Sequence, residues 1–158
     1  MRECVRRLAW LLSLALLLGC AGVRIPVPLG EEATCGGLTY RVLGCSWVHQ
    51  LQTAQGRAVP THNFLLVRLE VTNAGGASLP AMWLPGLWLV DEHKETFRPS
   101  PLTAGLPGGL KGSGAAWKPT EKRTGIVVFD VPQALYWLRP EGCPPLDLAC
   151  WWPERFGD

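Results

Sequence analysis

The chain has 158 residues, of which 47% are hydrophobic and 18% charged, a balance that excludes a disordered polyelectrolyte. Gly 18 and Pro 14 make up about a fifth of it, too many breaks for a helical bundle and a density suited to short strands joined by turns. A formal net charge of +2 gives no electrostatic case for nucleic acid.

In chain order, Arg2, Arg6 and Arg7 precede Leu8–Leu18, an uncharged run whose one polar residue is Ser13. A bilayer span needs about 20 apolar residues, so this run suits the core of a signal peptide rather than a permanent helix. It ends in Leu17-Leu18-Gly19-Cys20, which resembles the lipobox of bacterial lipoproteins. The resemblance implies that residues 1–19 are removed and that the thiol of Cys20 carries a lipid. A small residue such as Gly19 leaves room both for acylation and for the peptidase. Two or more acyl chains anchor a protein stably where one is marginal. Ala21, in place of an Asp, favours the outer membrane if the cell has two. Without Arg2, Glu3, Arg6 and Arg7 the mature chain holds twelve basic and twelve acidic residues, so it has no polybasic patch for headgroups or polyanions.

Residues 20–34 are Pro- and Gly-rich and read as a flexible tether. Residues 35–158 read as the folded domain. Leu38–Val48 is the first expected strand, and Gln55-Gly56 marks a loop or hairpin turn after it. Asn63–Thr72 has the strongest strand pattern. Leu65, Val67, Leu69 and Val71 form one apolar face at period two, and Arg68, Glu70 and Thr72 share the other with Phe64 and Leu66. Leu87–Asp91 and Glu95–Arg98 read as a hairpin around Glu92-His93-Lys94. Pro99–Trp117 reads as loop. Thr124–Val131 is a strand with Val127, Phe129 and Val131 on one side, and Pro132 ends it because proline cannot continue a ladder. Ala134–Arg139 and Leu146–Trp152 complete the set. About seven short strands with no long helix predict an all-β, immunoglobulin-like antiparallel sandwich, since a single sheet leaves one apolar face wet.

Six cysteines are present. Cys4 leaves with the signal and Cys20 is the lipid site. Cys35, Cys45, Cys143 and Cys150 remain, an even number that reads as two disulfides in an exported chain. If the first strand is extended, Cys35 and Cys45 lie about 30 Å apart, while a disulfide needs Cα atoms within about 7 Å. Both then pair with the C-terminal segment, as Cys35–Cys143 and Cys45–Cys150 if the two segments run parallel. The rival is two local loops, which requires the chain to fold back at Gly36-Gly37 or Gly44. His49, His62 and His93 sit in no ligand motif and no Cys-x-x-Cys spacing exists, so neither metal nor cofactor is expected.

Phe64–Val71 leads into Thr72-Asn73-Ala74-Gly75-Gly76. Leu89-Val90-Asp91 follows with Phe97, then Lys118-Pro119, then Gly125–Pro132 (GIVVFDVP). This order resembles the telokin-like, immunoglobulin-type domain of many secreted and lipidated bacterial proteins, over roughly residues 38–140. The family is largely of unknown function and supplies no catalytic motif. Lys118-Pro119-Thr120-Glu121 stands here where the family usually has Pro-Gly-Glu.

No nucleophile elbow, phosphate loop, dinucleotide fingerprint or zinc-helix motif is present, so the chain does not read as an enzyme. Asp91-Glu92-His93 sits at a hairpin tip and reads as a solvated turn. Seven tryptophans remain in the mature chain. Trp47, Trp88 and Trp137 fall within strands and are expected in the core. Trp83, Trp117, Trp151 and Trp152 fall in loop or terminal segments and are the candidate binding surface, since exposed rings stack on sugars or anchor a protein. The sequence thus predicts a lipid-anchored module of the cell envelope, non-catalytic, with a protein partner or a structural role. The alternatives are a carbohydrate- or cell-wall-binding module using the loop tryptophans, and an enzyme inhibitor inserting the segment Pro99–Trp117.

Overall fold

A computed structural model describes residues 25–80, 86–110 and 116–150. Two four-stranded antiparallel sheets form a sandwich. The first holds β1 (Glu32–Cys35), β2 (Leu38–Val48), β5 (Asn63–Asn73) and β8 (Lys122–Val131), in that order. The second runs β10 (Leu146–Asp147), β9 (Tyr136–Pro140), β6 (Leu87–Asp91) and β7 (Thr96–Phe97). A hairpin, β3 (Leu51–Thr53) and β4 (Gly56–Ala58), and one helical turn, α1 (Leu102–Gly105), complete the described elements.

Alternation along the strands builds the core. Leu65, Val67, Leu69 and Val71 of β5 are fully buried, as are Phe129 and Val131 of β8 and Leu89 and Leu138 of the opposite sheet. All belong to one cluster between the sheets. The all-β sandwich expected from the turn density is the fold observed.

Gly44 marks an irregularity that keeps β2 in step. Val42 opposes Leu69 of β5, whereas Gly44 opposes Arg68, so Leu43 is an extra residue in the strand. A bulge of one residue reverses the facing of everything beyond it. Tyr40 and Val42 therefore share the inner face with Cys45 and Trp47, not with Gly44 and Ser46.

The chain does fold back at Gly36-Gly37, into a two-residue hairpin in which both glycines have positive φ, +57° and +78°. The hairpin sets Cys35 opposite Leu38. Cys45 lies seven residues farther along β2, about 23 Å at strand rise. The local pairing is therefore blocked, and the bonds are Cys35–Cys143 and Cys45–Cys150, with Cα separations of 5.5 and 5.8 Å. They staple the first sheet to the segment that carries β10.

Two expectations change. Part of the tether belongs to the fold: Val27 hydrogen-bonds Pro145 and Asp147 beside β10, and Glu32–Cys35 pairs with β2. The short run of apolar residues there is too brief to read as a strand without its partner. Residues 99–110 are also not a free loop. Ser100 N donates to Val128 O, Leu110 N to Ile126 O and Ile126 N to Gly108 O, which covers the outer edge of β8. Beneath this strap and the β3–β4 hairpin lies a second small core of Leu51, Phe64, Leu106 and Val128. That core explains why Phe64 and Leu66 share a face of β5 with Arg68, Glu70 and Thr72.

Candidate functional site

The outer face of the first sheet is thus partly roofed. Among the described residues no strand or helix lies over the outer face of the second, whose Trp88, Val90 and Trp137 are half-buried. In β6, Leu87, Leu89 and Asp91 turn inward, which sends Trp88 and Val90 outward. In β9, Tyr136, Leu138 and Pro140 turn inward, which sends Trp137 and Arg139 outward. Trp88 lies opposite Arg139, and Val90 opposite Trp137. The two tryptophans are therefore diagonal neighbours, about 7–8 Å apart along the backbone lattice. Thr96 and Asp147 extend the row to the neighbouring strands, opposite Val90 and Trp137 respectively.

Two guanidinium groups serve this face. Arg98 lies over the Trp88 ring, 4.8 Å from its centroid, a distance for cation–π attraction. Arg139 stands between two hollows of about 330 and 310 Å³, both of which it lines with Val90. Trp88 and Glu141 border the first hollow, and Trp137, Pro26 and Pro145 the second. A rigid sheet holds two large rings, an apolar floor and two cations. That arrangement can take a flat apolar surface whose edge carries anionic groups.

The placement of Trp88 and Trp137 corrects the expectation that they are core. Inward-pointing neighbours on each strand force both outward, and only the strand parity, fixed by the partner sheet, decides this. Trp117 is corrected in the opposite sense. Its loop position suggests a binding surface, but it is 3% exposed and belongs to the main core. Its backbone pairs with Leu79 in both directions at 2.8 Å. Asn73 Nδ2 donates to its carbonyl at 3.1 Å, and the Arg123 guanidinium lies 4.3 Å from its ring centroid. Trp47 packs on the core and against Tyr136, with ring centroids 6.1 Å apart. Trp83, Trp151, Trp152 and Cys20 lie outside the described residues.

Asp91 is committed to the turn. Its Oδ1 accepts from His93 N at 2.9 Å and from Glu95 N at 2.8 Å, which fixes the β6–β7 connection. On the inner side of the same sheet, burial pushes the Tyr136 phenol up to about 12, helped by the carboxylates of Asp91 and Glu95.

The fold is similar to that of a conserved hypothetical protein from Bacillus anthracis, at 14% identity with a TM-score of 0.59, over 77% of this chain and 95% of that one. It is also similar to the yjhA protein from Bacillus subtilis, at 22% identity with a TM-score of 0.51, over 71% and 78% of the two chains. An uncharacterized beta-sandwich protein from Clostridium difficile aligns at 9% identity with a TM-score of 0.49, over 72% and 86%. These likenesses concern the fold. No family model matches the sequence, and no curated protein matches it.

Proposed function

We propose that this chain is a lipid-anchored, non-catalytic module of the cell envelope, an immunoglobulin-type domain of the telokin-like kind that binds or braces other envelope components. The leader Arg2–Gly19 followed by Cys20 supports export and lipidation. The two disulfides mark an oxidising compartment outside the cytoplasm. Ala21 favours the outer membrane in a two-membrane cell. The observation that carries the binding role is the pair Trp88 and Trp137, half-buried and facing outward from a stapled sheet with no described strand or helix over them.

The inhibitor alternative loses support, because residues 99–110 of its inserting loop are hydrogen-bonded along β8. The carbohydrate alternative loses Trp117 but keeps a ring surface at Trp88 and Trp137.

Intact-mass analysis of the native protein tests the reading. The expected product begins at Cys20, carries acyl chains there and has four oxidised thiols. A product that begins at Met1, with free thiols and no lipid, overturns it.

A further inference from the structure

We propose that the outer face of the second sheet rests on the phospholipid surface of the membrane that anchors the chain. The inference depends on the lipid anchor proposed for Cys20 and names what the Trp88–Trp137 face meets.

The length of free chain carries the argument. Pro26 already lines the hollow that holds Trp137 and Arg139, and Val27 is bonded to the β10 segment. Six peptide steps separate Cys20 from Pro26. Whatever path they take, they reach at most about 20 Å. An eleven-residue strand such as β5 is about 36 Å long. The link is therefore shorter than the domain, and the edge where the chain joins the second sheet must stay near the lipid. The face beside that edge is the one with the tryptophans.

The chemistry of the face suits a headgroup layer. Trp is an interfacial residue, with an apolar ring and a polar N–H. Ile25, 80% exposed, precedes Pro26 in the chain and adds an exposed apolar side chain on the anchor side of it. Arg98 and Arg139 offer forked donors that match a phosphate. Glu141 and Asp147 at the rim leave the face without a strong net charge, so contact depends on proximity rather than long-range attraction. Proximity is what a short tether supplies, since it holds the face at millimolar effective concentration over the lipid.

The test uses the full mature protein, reconstituted in vesicles of equal parts phosphatidylethanolamine and phosphatidylglycerol. The acyl chains carry bromine close to the headgroups. Bromine quenches tryptophan only at short range. The double variant Trp88→Phe/Trp137→Phe keeps the face apolar and removes its reporters. We expect brominated vesicles to quench the wild type, and the quenched fraction to fall at least about twofold in the variant. Equal quenching of the two proteins while both are acylated and vesicle-bound overturns the membrane contact and leaves the anchor standing. Emission that shifts with soluble glycans but not with bromine also overturns it, in favour of a sugar ligand. A mass without acyl chains overturns the anchor and the contact together.

Discussion

The hydroxyl of Tyr136 donates to the carbonyl of Pro132 at 2.8 Å, tying the start of β9 to the end of β8 where the chain passes from one sheet to the other. The bond resembles the tyrosine corner of immunoglobulin-type sandwiches. Tyr136→Phe removes it and leaves the ring contacts with Trp47 and Phe97 in place. The expected cost is about 1 kcal/mol in denaturant unfolding. The same residue sets an alkaline limit. Its phenol is pushed from 10.0 up to about 12 by burial, and Tyr40, the second of only two tyrosines, is also raised by burial. A raised acid favours the neutral form in the folded state. The stability it contributes is whole below pH 10 and is lost as pH climbs from 10 toward 12. Phenolate absorbance of the native protein should rise at higher pH than that of the unfolded chain, with Tyr136 ionising last, and Tyr136→Phe should flatten the alkaline fall in stability.

The two disulfides are not independent. Each closes more than a hundred residues, 108 and 105 by sequence separation. With one formed, however, the second closes only the small ring made by residues 35–45 and 143–150. On the chain-entropy model a ring of about 15 residues contributes about 3 kcal/mol and a loop of about 100 contributes about 4.7. Cys45→Ser/Cys150→Ser should therefore cost less than the further loss of Cys35–Cys143. Equal successive losses in urea unfolding would contradict this geometry.

Gly125 admits the strap. A Cβ there would lie 2.6 Å from Leu110 Cα and 2.7 Å from Leu110 N, backbone atoms that cannot swing aside as a side chain can. Gly125→Ala should push residues 108–110 away from β8 and cost about 1–3 kcal/mol. Hydrogen exchange locates the damage: the Leu110 amide, bonded to Ile126 O at 2.8 Å, should lose protection while the centre of β5 keeps it.

Asn73 is a buried connector. Its Nδ2 donates to the carbonyls of Ala77 and Trp117, and its Oδ1 accepts from Gly75 N. Asn73→Asp keeps the shape but faces two carbonyls with an acceptor. It should cost at least about 2 kcal/mol at neutral pH. Burial beside carbonyls favours the protonated acid, so the deficit should shrink as pH falls toward the ordinary carboxyl value of about 3.9. A deficit that does not change with pH argues against this placement.

Much of the sandwich was legible because its long strands repeat at period two. Leu65 to Val71 and Val127 to Val131 announce their inner faces without help. The bulge at Leu43 was marked only by Gly44, and a glycine within a strand does not say which way the facing shifts. The site was the least legible part. Trp88 and Trp137 lie in short strands of mixed polarity, where either face could be buried, and the opposing sheet makes the choice. Trp117 sits in a Gly- and Pro-rich stretch that resembles open loop. Its burial depends on Leu79 and Asn73, which lie about 40 residues earlier.

The contact between Val27 and the β10 segment has a mechanical side. Among the described residues Val27 is the first with a backbone pairing, and it holds the carbonyl of Pro145 and the amide of Asp147. Residues 143–150, which receive that contact, are bolted at both ends by Cys143 and Cys150. A tug transmitted from the membrane thus enters the domain at a segment fastened covalently at each end, and passes to the first sheet through sulfur before it can strip a strand.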